Sequence, residues 1–404
     1  MARESRNGGP LLISSLSLAM ATGATGTYSY ATLSPFLVSD LHLSAGAMGL
    51  LFGGLYAVAA ISSGPIGRIS DRVDPMFVVI AGSICSLLAT LLLAASFVLP
   101  ALVVSAVFAG IAMAAANPGS NGMIAHRIPP DSRAFATGVK QSGATGAGLY
   151  LGVVLPGLAV LIGWHLASLA AAVVPVLAVA TVLAARRSSR TVLELEPEGE
   201  HLEPRRLRWL GWISVYALLL GVATGVCNGF YVIYAHSLGY DEVAAGLVFA
   251  AFAIASVVAR VVWARLSESG VPPGRLLGLI GAIGAVSAVL SLLAPLAIWL
   301  MWPAAMLGGL SIVGWNALGM VTIMRNVRRS AVGISASRML RGFFIGLAVG
   351  PLAFGGLVEL GGYLLGWLFQ AIVLVLAIAA ALLFGRSLNS RTSEILAQPP
   401  EVVS

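Results

Sequence analysis

Residues 49–71 read GLLFGGLYAVAAISSGPIGRISD, and residues 246–268 read GLVFAAFAIASVVARVVWARLSE. The two stretches align without a gap. Gly49, Leu50, Phe52, Arg68 and Ser70 recur as Gly246, Leu247, Phe249, Arg265 and Ser267, and Asp71 becomes Glu268. Shared apolar composition alone produces some identities, so a second match matters. Gly138, Ser142, Val154 and Pro156 recur as Gly333, Ser337, Val349 and Pro351 at nearly the same offset. A constant offset of about half the chain reads as two parallel halves, an arrangement common among transporters.

Composition sets the class. Hydrophobic residues make up 58% of the 404 residues and charged residues 10%. Soluble domains carry about 25% charged residues, so this chain is a polytopic membrane protein. Cys85 and Cys227 both lie in apolar runs without metal-ligand spacing and read as small core residues. No polybasic tract suggests nucleic acid, and neither metal nor cofactor is expected. Residues 1–10 read as a basic lead into a retained first helix instead of a cleaved signal.

A helix needs roughly 20 apolar residues to cross a bilayer. Twelve runs qualify: 11–36, 45–66, 76–95, 98–124, 134–162, 165–185, 209–235, 243–264, 275–294, 296–323, 331–358 and 363–385. The expected fold is all-α, with twelve transmembrane helices in two pseudo-symmetric six-helix bundles. Residues 1–185 form the first bundle, 186–208 a linker, 209–388 the second bundle and 389–404 a tail. Ser44 and Asp241 stand as N-caps before the second and eighth spans. Of the 23 Lys and Arg, four fall inside spans and the others all fall in segments of one side. The positive-inside rule makes that side cytoplasmic, with both termini in it, in a bacterial inner membrane. The linker, with five glutamates between basic ends, reads as a solvated connector.

Twelve spans, parallel halves and a charged central linker resemble the major facilitator superfamily over essentially the whole chain. The most specific piece is Gly67-Arg68-Ile69-Ser70-Asp71-Arg72, which is similar to that family's signature between spans two and three. The usual following glycine and basic residues are replaced by Asp74, Pro75 and Met76. The resemblance implies a cytoplasmic gate of Gly67, Asp71, Arg72, Arg127 and Arg133. In it, Asp71 would face Arg127 or Arg133 and the positive end of the eleventh span.

Four basic residues lie within spans: Lys140, Arg260, Arg338 and Arg341. Arg341 is about eleven residues, roughly 16 Å, into its span. Arg338 shares its helical face. A cation at a helix centre costs about 2.5–3.5 kcal/mol on insertion scales, so such groups usually face a cavity or a partner. Snorkelling accounts for Arg260 about as well as function does. Interdomain pairing with carbonyls is the alternative for the rest. All 16 acidic residues lie in loops, the linker, tails or helix ends. Exporters of cationic drugs generally need a carboxylate within the spans. Their span-four arginine is also missing from residues 105–110, and their span-five glycine-proline pattern is only loosely echoed. Cations without nearby acids favour an anionic cargo, a small carboxylate or oxyanion.

The family's cavity-lining spans are one, four, seven and ten, and the resemblance directs attention to their polar residues. These are Thr25 and Tyr28, Asn117 and Asn121, Asn228, Tyr231 and Tyr234, and Trp315 and Asn316, with Gln141 beside Lys140. Polar groups in buried helices also serve as interhelical glue. An enzyme would need a nucleophile–base pair or a metal set. Ser120 has no histidine at its depth, and no His-Glu-x-x-His occurs. The expectation is a monomeric secondary transporter of a small anionic solute, coupled to protons or a counter-solute. A drug or metabolite exporter and a transport-incompetent sensor are the alternatives.

Overall fold

The structure is a computed structural model that describes residues 9–70, 72–129, 132–188, 208–267, 269–327 and 332–397. These are almost wholly helical. Nine helices are long and apolar enough to cross a membrane among the described residues. The last of them contains two crossings. The helix Val332–Ala397 is broken where Gly362 takes φ 71°, a conformation that favours glycine. Pro10–Leu41 and the pair Met301–Ile312 and Trp315–Asn326 supply the remaining two. Twelve crossings result, as the apolar runs predict.

The crossings in chain order begin with Pro10–Leu41, Ala45–Ser70, Pro75–Ala94, Leu99–Arg127 and Arg133–Ile162. The sixth is Trp164–Ser168 continued through Leu169–Ala172 into Val173–Ser188, and the seventh to ninth are Arg208–Ser237, Glu242–Leu266 and Pro273–Leu293. Local signals act as the sequence implies. Ser44 accepts from the Ala47 amide at 3.1 Å and Asp241 from the Ala244 amide at 2.7 Å, capping spans two and eight. Asp74 caps span three through the Met76 amide at 3.0 Å.

The helices depart from the apolar runs in three ways. Span one continues to Leu41, beyond residue 36, with Pro35 inside it. Span ten is interrupted at Val313–Gly314, where Trp263 Nε1 donates to the Leu310 carbonyl at 2.7 Å and Thr224 Oγ1 to the Ile312 carbonyl at 3.4 Å. Side chains thus satisfy backbone at a break inside the bilayer, where water is absent. The twelfth helix runs on to Ala397, so the tail expected from 389 is helical at first. Most of the linker, 189–207, lies outside the described residues.

Glycine sets the closest approaches. Gly342, Gly346 and Gly350, at four-residue spacing, lie against the backbone of Ser214, Leu218 and Val222 in span seven. This is small-residue packing of the kind that holds membrane helices together without a hydrophobic driving force. Between the two halves, glycines line two seams. A Cβ on Gly49 would stand 2.5 Å from the Pro351 carbonyl, and one on Gly246 would stand 2.8 Å from the Gly152 carbonyl. The first seam joins spans two and eleven, the second spans five and eight. Both lie at the end of the bundle opposite Arg68, Arg127, Arg133 and Arg265. We call the arginine-rich end the basic end.

Candidate functional site between the halves

Past the Gly49–Gly53 and Ala348–Gly355 contacts, spans two and eleven lose each other. Ile61, Gly64 and Arg68 are exposed on one, and Arg338, Arg341 and Ile345 on the other. Spans two and eleven therefore touch at one end and part toward the basic end, while Arg260 still ties span eight to span five nearer that end.

Spans four and five build the most ordered polar group there. Asn117 and Asn121 are one helical turn apart, so their amides share a face. Lys140 Nζ reaches across from span five and donates to Asn117 Oδ1 at 3.2 Å and Asn121 Oδ1 at 2.5 Å. The lysine is 1% exposed, Asn117 is half-buried and Asn121 is exposed. The ammonium thus meets two neutral amides instead of a carboxylate. Gln141 contributes its backbone: the Arg260 guanidinium from span eight donates to its carbonyl, linking the halves. Snorkelling, the alternative for Arg260, gives way to this contact at the seam. Lys140 and Arg260 lie seven and six residues from the basic ends of their helices, roughly 10 Å deep.

Tyr28 stands edge-on to Phe249 with ring centroids 5.5 Å apart, another contact between halves. Asn228 Nδ2 donates to Tyr56 Oη at 3.0 Å and does the same for spans seven and two. Four residues point into their own half. Thr25 is bonded to the Ala21 carbonyl at 2.9 Å. Tyr231 bonds Ser287 at 2.9 Å and Tyr234 donates to the Ser291 carbonyl at 2.7 Å, both toward span nine. Trp315 packs edge-on to Tyr216, centroids 6.0 Å apart. Asn316 is half-buried, and its Oδ1 is buried without a hydrogen-bond partner among the described residues.

Arg338 and Arg341 share one exposed face with Ile345, Val349 and Leu352, at three- and four-residue spacing. Leu352, farther along that face, lies against Gly53 of span two. The arginine pair accordingly stands at the mouth of the cleft between spans two and eleven, and it is not brought together with Lys140. No hydrogen bond or ion pair to either guanidinium occurs among the described residues.

Of the gate residues, Asp71 lies outside the described residues. Arg72 is exposed, and a Cβ on Gly67 would meet nothing within 4 Å. Arg127 Nη2 pairs with Asp74 Oδ2 at 2.8 Å, joining the end of span four to the start of span three. Arg133 donates to the Ile128 and Ala125 carbonyls at 3.1 and 2.8 Å and so closes the end of span four.

At the opposite end Glu359 accepts from the Gly46 amide at 2.9 Å, and Trp164 Nε1 donates to Asp40 at 2.7 Å. Sequence reasoning noted both acids only as helix-end charges. An acid beside the helix-breaking Gly361-Gly362 pair was the one available signal for Glu359.

The family model of the Major Facilitator Superfamily matches residues 16–343. The chain belongs to the Major Facilitator Superfamily. Solved structures agree on the fold. A bacterial homolog of the human lysosomal transporter Spinster, inward-facing and unoccupied, superposes with TM-score 0.76 at 18% identity, covering 94% of this chain and 98% of that one. The same homolog in an inward-facing, occupied conformation gives TM-score 0.72 at 18% identity, over 96% and 98%. The nucleoside transporter NupG gives 0.69 at 14% identity, over 92% and 99%. No curated protein sequence matches the chain. Membership of this superfamily makes the protein an integral membrane transporter of small solutes.

Proposed function

We propose that this superfamily member is a secondary transporter of small anionic solutes in a bacterial cytoplasmic membrane. Both termini and the basic end face the cytoplasm, because the arginine bias follows the positive-inside rule. The halves, 1–185 and 209–388, rock about the seams of spans two with eleven and five with eight. The state described is then inward-open. A proton gradient or a counter-solute drives the cycle, and the carrier works as a monomer.

One observation carries the anionic reading. Four cations lie within the spans, and among the described residues none of them pairs with a carboxylate; the ion pair found among these residues is Arg127–Asp74. Lys140 has amides, Arg260 a carbonyl, and Arg338 and Arg341 stand open. Desolvated positive charge of this kind is partly repaid when a negative cargo arrives. The proposed contacts are Arg341, Arg338, Lys140 and Gln141 with Asn117 and Asn121. The unpaired Asn316 oxygen, Tyr28 and Asn228 supply polar contacts higher in the cleft. Asp71, Arg72 and Gly67 form the cytoplasmic gate. Export of amphipathic metabolites is the second reading, because Arg338 and Arg341 share their face with exposed Ile345 and Val349.

The test is uptake into proteoliposomes of labelled lactate, succinate, phosphate and sulfate, with and without a proton gradient. At least one is accumulated by the wild type, and Arg341→Gln lowers that uptake about tenfold or more with folding preserved. Uptake unchanged in Arg341→Gln and Arg338→Gln would return both arginines to a structural role.

A further inference from the structure

Lys140 is the single lysine of the chain. Four helices, those of spans one, four, six and eight, pack on span five. Span one offers the Tyr28 hydroxyl and, far away at its other end, Asp40. Span four offers Asn117, Asn121 and, at the basic end, His126 and Arg127. Span eight offers Arg260 and Arg265, with Glu242 at its opposite end, and span six offers Arg186 and His165 at its two ends. Arg133, on the same helix, is occupied by carbonyls. Among the described residues no carboxylate stands at the level of the amine.

An ammonium buried among neutral amides lacks the counter-charge that normally holds a proton in place. Its Asn partners suit both charge states. A carboxamide oxygen accepts from an ammonium, and a rotated carboxamide N–H donates to the lone pair of a neutral amine. Asn121 is exposed, so it gives the amine a path to water at the basic end.

From this we infer that Lys140 is the proton-binding group of the transport cycle, neutral when the site is empty and protonated when an anion occupies it. The inference rests on the anionic reading above and names its coupling ion. The step balances simply. The amine lone pair takes one proton from a hydronium ion, leaving water, as the anion enters; when the anion leaves, the ammonium returns that proton to water. One proton moves with each anion. By linkage, proton and anion strengthen each other's binding by the same factor. The sign follows: the ammonium form dominates at low pH, so anion binding tightens as pH falls and uptake runs down a proton gradient.

A single lysine makes the measurement direct. The full chain, labelled with ε-13C lysine and placed in phosphatidylcholine nanodiscs, gives one lysine side-chain resonance to follow from pH 6 to pH 10. The proposal expects a reversible transition in this anion-free protein centred below about pH 7.5, far under the range where an exposed lysine gives up its proton. It expects the transition to move toward higher pH when the transported anion is added, with about tenfold tighter proton binding. An anion-free midpoint above about pH 7.5, or a resonance that stays at the ammonium position to pH 10, overturns it. Lys140→Arg, which keeps the charge and cannot release a proton, serves as the second variant. It retains counterflow of the anion and loses accumulation driven by a proton gradient; accumulation equal to wild type overturns the proposal. If no anion of the panel is taken up, the anionic reading fails, and the anion-free titration still decides whether Lys140 exchanges a proton.

Discussion

The carboxylate of Glu359 accepts a hydrogen bond from the backbone amide of Gly46 at 2.9 Å, across 313 residues of chain and across the boundary between the halves. Glu359 ends span eleven, and Gly46 is in the first turn of span two. The first turn of a helix exposes unpaired N–H groups and a partial positive charge, so a carboxylate is well placed there. The family-implied gate at the basic end would use the same physics with the halves exchanged, Asp71 of the first half facing the start of span eleven. The observed contact closes the end opposite the opening.

Glu359→Gln keeps an acceptor and loses the charge, and Glu359→Ala loses both. The population with separated non-basic ends is expected to rise from wild type to Gln to Ala. Spin labels at the non-basic ends of spans two and eleven report it as a longer distance component. Identical distance distributions in all three would remove Glu359 from the closure.

Gly49→Val tests the seam beneath this contact. A Cβ at Gly49 would press on the Pro351 carbonyl and on Gly355, both backbone. Overpacking of that kind costs about 1–3 kcal/mol. The same label pair should show the separated state enriched, whereas Gly54→Val, where a Cβ meets nothing within 4 Å, should leave the distribution as in wild type.

Trp263→Phe tests the break in span ten. The ring is largely kept, but the Leu310 carbonyl loses its donor. An unsatisfied buried acceptor costs about 1–3 kcal/mol. The melting temperature in detergent should fall, and a variant melting with the wild type would show that another group satisfies that carbonyl.

Asp74 does two things at once, and two substitutions separate them. It caps span three through Met76 and pairs with Arg127, whose side chain is 6% exposed. Asp74→Asn keeps an acceptor for the cap and weakens the pair; Asp74→Ala removes both. The alanine variant should be less stable than the asparagine variant by about 1 kcal/mol, the usual worth of a cap. Thermal melts of both decide it, and equal stabilities would mean that the cap contributes nothing here.

Much of the fold was legible because lipid imposes a local rule. Each segment must satisfy its own backbone and cover itself with apolar side chains, so length and hydropathy reveal a crossing wherever it occurs. The paired asparagines of span four were legible too, from spacing alone. Span one's extension to Leu41 and the break at Gly314 were not, since both depend on what the neighbouring helices supply.

By itself, then, the sequence determined that this is a twelve-span, two-half membrane protein with its intramembrane charge almost entirely positive. Tertiary structure alone decided where those charges go: Lys140 to Asn117 and Asn121, Arg260 across the seam to Gln141, Arg338 and Arg341 to an open cleft. The physical reason is that hydropathy is written residue by residue along one helix. A side chain's partner depends on the rotation of that helix about its axis and on which helix, often a hundred residues distant, packs beside it.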